Sequence, residues 1–391
     1  MKELPPAGCG CCGPPKKSPD EPACCGRATI AAELPPQCSG GTAAATAPWI
    51  VGKVASSAGD VRQVATALRL GDRLGTWLAR WGIGRMHYAI APGLYAAGRP
   101  TADSPVLVSA NYKMSFDRLR SELGRLDAWI LVIDTRGINV WCAAGKGTFG
   151  TDEIVGRVQS TRLADVVAHR TLVLPQLGAP GIAAHEVKRQ TGFRVVYGPV
   201  RAADLPAYLA AGMKAEPEMR QVHFALADRL AVVPVELVMA AKYVLLAAAA
   251  FLLLAGLGRD GYSLARVLGA GLGSAAILVG ASAAGVVLTA ALLPWLPGRA
   301  LALKGFWVGL LVLLALLGHA WYHTGTFDSW FTVAGWCLLI PAIVSFFAMN
   351  FTGATTYTSL SGVQKEMALA VPLQAIASAA GVVLWMVGRF F

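Results

Sequence analysis

The sequence predicts a doubly wound, Rossmann-like α/β domain followed by an all-α transmembrane domain of five helices. Three observations carry that expectation. Charged residues are frequent up to about Arg229 and scarce beyond it. Short apolar runs alternate with helical patterns between residues 101 and 225, and five later stretches each reach the roughly 20 apolar residues that span a bilayer. With 391 residues, 55% of them hydrophobic, the chain is too long and too apolar for one soluble domain.

Residues 1–48 are rich in Pro, Gly and Ala, a composition that buries too little surface to fold alone, so a flexible tail is expected. It carries Cys9, Cys11, Cys12, Cys24, Cys25 and Cys38. Their spacing is neither that of a structural zinc site nor that of a ferredoxin cluster. The adjacent pairs suit capture of a soft ion such as Hg(II) or Cu(I); the opposing reading is incidental composition.

Residues 49–100 are expected to form a helical lead-in, because Val61, Val64, Leu68, Leu74, Trp77, Leu78 and Trp81 fall near helical spacing. From there the pattern predicts strands at 106–110, 128–133, 172–174 and 193–197, with helices at 116–123, 152–161, 183–191 and 205–211. Apolar strands interleaved with helices imply a mostly parallel sheet that binds ligands at the carboxyl ends of its strands. The spans are predicted at 232–257, 264–293, 301–322, 330–351 and 367–387, within a membrane domain of residues 230–391. Gly269, Gly271, Gly273, Gly280 and Gly285 in the second span read as helix-packing composition.

Two loops fall at strand ends. The first, residues 134–147, contains Asn139, Val140, Trp141, Cys142, Ala143, Ala144, Gly145, Lys146 and Gly147. Cys142 stands at the head of a short predicted helix, and a thiolate binds soft metals, so it is a candidate ligand or nucleophile. Its rival role is that of a small buried hydrophobe. The second loop, residues 175–181, offers Gln176, Gly178, Pro180 and Gly181 as a second wall, its glycines permitting close backbone approach. A plain structural turn would use some of the same residues.

The run from Ile138 to Phe149 resembles the cap-helix motif of the mercury-methylating corrinoid proteins, the HgcA family, over roughly residues 106–200 and on through the membrane region to Met367. The large subunit of the corrinoid iron-sulfur protein of acetyl-CoA synthesis is related, and is expected to lack a cysteine at this point. The resemblance implies a corrinoid (cobalamin-type) cofactor in residues 101–225, with Cys142 as the lower axial ligand of its cobalt and catalytic residue. Asn139 and Trp141 would fix the turn and cover the ring, and Lys146 would meet a propionamide or phosphate group or remain a solvated helix-end charge. It further implies transfer of a methyl group to Hg(II), a folate-linked methyl donor system, and a ferredoxin-like iron-sulfur partner, HgcB, as reductant. Residues 350–367, rich in hydroxyls and glycines, also resemble these families and are expected to contact the corrinoid domain.

Alternatives remain at this stage. A methyl carrier of acetyl-CoA and one-carbon metabolism is the nearest, and a transporter with a sensing domain is another, although the five spans offer little for an ion pathway. The net charge of +11 suits a domain beside an anionic leaflet; no nucleic-acid recognition module is visible. Among the six histidines only His319 and His323 share a helix face, and near a span end they read as interfacial rather than metal-binding residues. Residues 1–13 have no apolar core segment, so no signal peptide is expected. The amino end and α/β domain are therefore expected in the cytoplasm, on a multi-pass inner-membrane protein.

Overall fold

The computed structural model describes residues 47–323, 326–351 and 360–391. A mixed sheet of seven strands is followed by a helical region. In chain order the α/β part comprises β1 (Ile50–Ser56), β2 (Gly59–Val64), α1 (Leu70–Arg80), β3 (Gly93–Ala97), β4 (Val106–Ala110), α2 (Lys113–Ser121), β5 (Ala128–Ile133), α3 (Val140–Gly145), α4 (Thr151–Ser160) and α5 (Leu163–Val166). It continues with β6 (Thr171–Leu174), α6 (Ala184–Thr191), β7 (Arg194–Tyr197) and α7 (Leu205–Ala210). The strand order is β1-β2-β3-β5-β4-β6-β7.

Alternation along the central strands explains the two-faced core. On β5, Trp129, Leu131 and Ile133 join Ile154, Val158, Leu163, Val187 and Phe193 on one face. Ala128, Ile130 and Val132 join Trp49, Phe116, Leu123, Leu205 and Tyr208 on the other. Helices thus cover both faces, and strand side chains of period two supply both layers. Strands β5, β4, β6 and β7 are parallel, as expected, whereas β3 runs antiparallel to β5.

Residues 50–64 depart from the helical expectation. They form an antiparallel hairpin in which Ser56 pairs with Gly59, and β2 and β3 extend the sheet. Exposure alternates at every residue of β1, so period two outweighs the approximate helical spacing of Val61, Val64 and Leu68. Gly59 turns the hairpin at φ 112°, in a region that L side chains rarely adopt. The helical expectation holds only for α1. That helix is tied to α2 by a buried charge cluster: Lys113 Nζ lies 2.8 Å from Asp72 and 2.5 Å from Asp117, and Arg120 lies 2.8 Å from Asp72 and 2.7 Å from Asp117.

The helical region comprises α8 (Leu226–Leu230), α9 (Val233–Leu254), α10 (Leu264–Arg266), α11 (Leu272–Leu292), α12 (Leu301–Tyr322), α13 (Trp330–Asn350) and α14 (Leu360–Val387). Five helical stretches among the described residues are long and apolar enough to cross a membrane. A π-helical segment, Val267–Gly271, joins α10 to α11. The glycines of the second span divide in role. Added Cβ atoms would meet Leu252 O at 2.7 Å from Gly271 and Val344 at 2.8 Å from Gly285, so these two permit close helix packing. Gly269, Gly273 and Gly280 meet no neighbour there and line a cavity of about 660 Å³ instead. Two buried cations satisfy the carbonyls at the end of α11 and just beyond: Arg229 donates to Ala290 O at 3.1 Å, and Lys304 donates to Leu293 O at 2.8 Å and Leu296 O at 2.7 Å.

Candidate functional site

The parallel strands fix where a ligand can approach. The chain passes from β4 to β5 on one side and places β6 on the other, so the order reverses at β4, and the carboxyl end of that strand is where sheets of this kind take their ligands. Asn111, the first residue after β4, is 6% exposed and organises that crest. Its Oδ1 accepts the amides of Thr135 and Gly137, each at 3.0 Å, and lies 2.9 Å from Thr135 Oγ1. Its Nδ2 donates to Asp134 Oδ1 at 3.0 Å, and the same oxygen accepts the Arg136 amide at 2.8 Å. One amide side chain therefore clamps the turn after β5, in which Arg136 and Gly137 take φ of 58° and 68°. Sequence reasoning missed Asn111; the available signal was an amide side chain directly after a buried, mostly apolar strand.

This turn delivers α3. Asn139 caps it, its Oδ1 accepting the Cys142 amide at 3.0 Å, which holds Cys142 in the first turn. Ala143 and Ala144 are buried, while Trp141, Gly145, Lys146 and Gly147 are exposed. Cys142 is half-buried, with a free thiol. Of the cysteines among the described residues it alone lies in the α/β part, because Cys337 lies in α13. Val140 packs partly buried against the core, and Gly147, at φ 77°, turns the chain away from the helix end.

The loop after β6 packs directly on α3. A Cβ on Gly178 would lie 2.6 Å from the Phe149 ring, and one on Gly181 would collide with Phe149 O and lie 3.2 Å from Ala144 Cα. These glycines therefore serve the contact between the two loops, where the sequence suggested a wall facing a ligand. Pro180 is exposed, and Gln176 Oε1 accepts Arg220 Nη1 at 2.8 Å. Nearby, the Tyr197 hydroxyl donates to Ile182 O at 3.5 Å, and burial pushes this phenol up from its ordinary value.

The crest lies on the side that continues into the helical region. Just beyond β7, Arg201 lies 2.9 Å from Asp228 of α8, whose neighbour Arg229 bonds to the end of α11.

Among the described residues no three His, Cys, Asp or Glu side chains come together as a metal site. The exposed His319 and His323 rings lie 4.3 Å apart, tilted by 36°, without a third ligand among the described residues. Among the described residues, therefore, Cys142 has no companion ligands, and a metal held there by these residues would bring its other ligands with it. A corrin ring does so with four nitrogens, and the exposed Trp141 and the backbone at Gly145 and Gly147 leave open surface beside the thiol, so the residues present fit such a group. The tail cysteines Cys9, Cys11, Cys12, Cys24, Cys25 and Cys38, and Thr355 and Thr356 of the hydroxyl-rich loop, lie outside the described residues.

An α/β domain with a thiol at its strand-end crest, continuous with a set of apolar helices, is the class these features define. Residues 85–209 match the family described as CO dehydrogenase/acetyl-CoA synthase delta subunit. The chain is 34% identical over 122 residues to the acetyl-CoA decarbonylase/synthase complex subunit gamma of Methanopyrus kandleri, covering 31% of this chain and 26% of that one. It is 30% identical over 122 residues to the corresponding subunit of Archaeoglobus fulgidus, with the same coverage. It is 30% identical over 129 residues to subunit gamma 2 of Methanosarcina mazei, covering 32% and 27% of the two chains. The chain thus spans about a quarter of the length of these relatives.

Proposed function

We propose that this chain is a membrane-anchored corrinoid protein that carries a methyl group. Residues 101–225 form its cofactor domain and residues 230–391 its anchor, with the cofactor domain on the cytoplasmic side of the inner membrane. The observation that carries the reading is the position of Cys142. It is a free, half-buried thiol at the strand-end crest, inside the segment similar to subunits of acetyl-CoA decarbonylase/synthase complexes. When bound, a corrinoid would supply a cobalt centre able to carry a methyl group.

The chain's own residues would then divide the work. Asn139 holds the Cys142 backbone, so the thiolate would be available to a bound corrinoid without rearrangement of the loop. In this reading the exposed Trp141 would cover the ring edge, Gly145 and Gly147 would allow backbone approach, and Lys146 would meet a propionamide or phosphate group or remain a solvated helix-end charge. Asn111 keeps the whole turn in place.

The methyl acceptor divides two readings. Similarity to the acetyl-CoA decarbonylase/synthase subunits supports a methyl carrier of one-carbon metabolism. A second reading, methylation of Hg(II), is supported by Cys142: a thiolate ligand there would make a bound cobalt more electron-rich, and a cationic acceptor needs a carbanion-like or radical methyl. In that reading a folate-linked system supplies methyl, HgcB returns electrons and the tail cysteines deliver Hg(II). The deciding experiment offers Hg(II) to the purified, methyl-loaded full chain. Methylmercury formation that is lost in Cys142→Ala supports the second reading. Methyl transfer only to a thiol or nickel acceptor, with or without Cys142, supports the carrier reading.

A further inference from the structure

The face that α1 turns away from the sheet is apolar. Leu70, Leu74, Trp77 and Trp81 recur at i, i+4, i+7 and i+11, one stripe of a helix. Leu70 is 83% exposed, Leu74 56% and Trp77 57%, and the following loop adds Ile83 at 61% and Met86 at 79%. Among the described residues Leu70, Leu74 and Trp77 of this stripe are exposed and Trp81 is partly buried, and the opposite side of α1 makes packing contacts through buried Ala79 and the Asp72 ion pairs to Lys113 and Arg120. The exposed arginines Arg69, Arg73 and Arg80 lie on the same helix and its cap.

The neighbourhood identifies what covers the stripe. A Cβ on Gly82, directly after α1, would lie 3.4 Å from Val238 Cγ1, and Val238 lies near the start of α9, the first apolar helix long enough to span a bilayer. The end of α1 therefore lies beside the second turn of that helix. Exposed tryptophan and leucine beside arginines suit the headgroup boundary of an anionic bilayer, where indole rings anchor and guanidinium groups meet phosphates.

We infer that α1 and the loop through Met86 form an interfacial membrane-docking element that lies on an anionic lipid surface and sets the orientation of the α/β domain. This rests on the membrane-spanning reading of α9, and not on any cofactor. It also bears on the site: a Cβ on Gly137, in the turn before α3, would lie 3.4 Å from Ala89 Cβ and 3.8 Å from Met86 O, so the docking element abuts the loop that presents Cys142.

The test places a photoactivatable benzophenone amino acid at Leu74 of the full chain in nanodiscs that contain this chain as their only protein besides the scaffold. The expected product on illumination is a phospholipid adduct. Replacing Arg69, Arg73 and Arg80 together with glutamine should lower its yield several-fold in discs containing phosphatidylglycerol and leave it unchanged in pure phosphatidylcholine. Cross-links only within the chain, to a second copy or to the scaffold, or no adduct from a chain with unchanged thermal unfolding, would overturn the inference. An adduct yield indifferent to the arginines in both lipids would overturn its electrostatic half.

Discussion

Asn139 and Cys142 are joined by a hydrogen bond in which the Cys142 amide donates to Asn139 Oδ1 at 3.0 Å. The cap and the candidate ligand are thus one unit. Asn139→Ala should cost about 1 kcal/mol of local stability and lower corrinoid content in the purified full chain several-fold, whereas Asn139→Asp, which keeps the acceptor, should retain most of it. Corrinoid absorbance per protein is the measurement. Equal content in all three chains would separate the cap from cofactor retention.

Asn111 sits deeper and serves the turn as a whole. Asn111→Ala leaves the amides of Thr135 and Gly137 without their acceptor, in a place that is 6% exposed at the removed side chain. Each lost buried bond costs about 1–3 kcal/mol, so thermal unfolding should shift clearly downward. A fall no larger than that of a surface Asn→Ala variant would show that the turn holds itself.

The glycine contact between the two crest loops has its own signature. Gly178→Ala drives a methyl group to 2.6 Å from the Phe149 ring, and overpacking of this kind costs about 1–3 kcal/mol. Gly145→Ala, where an added Cβ meets nothing within 4 Å, should leave stability nearly unchanged. If Gly145→Ala nevertheless abolishes corrinoid binding, the ring lies against that backbone, as proposed.

Asp72 supplies a pH test. Burial acts to raise its carboxyl, but hydrogen bonds from Lys113 and Arg120 outweigh burial and hold it below the ordinary value of 3.8. A folded value below the unfolded one stabilises the protein above the unfolded pKa, and that stability disappears as pH falls through the lower, folded value. Unfolding monitored from pH 5 downward should therefore steepen below about pH 4, with a shallower slope in Asp72→Asn. Asp117→Ala, which leaves Lys113 and Arg120 short of a buried partner, should cost about 3–5 kcal/mol at neutral pH.

The parts legible in the sequence are those whose pattern is local. Strand β5 is a continuous apolar run between Asp127 and Asp134, β4 is apolar apart from Ser109, and the five long helices follow from length and composition alone. Residues 50–64 were misread because Val61, Val64 and Leu68 satisfy a loose helical period, while β1 has the period two of a strand with a wet side. The Asn111 clamp and the Asp72, Lys113, Asp117 and Arg120 cluster join segments far apart in the chain, so no local pattern announces them. Cys142 was legible as a candidate because it heads a short helix after a strand; that the neighbouring glycines meet Phe149 and Ala144 became visible only in three dimensions.

The central claim, that Cys142 is the lower ligand of a corrinoid cobalt, is tested most directly by X-ray absorption at the cobalt edge of the corrinoid-loaded full chain. A sulfur neighbour at cobalt in the unaltered protein, absent in Cys142→Ala with the cofactor still bound, is the predicted result. A cobalt environment of nitrogen and oxygen alone, identical in both chains, would contradict it.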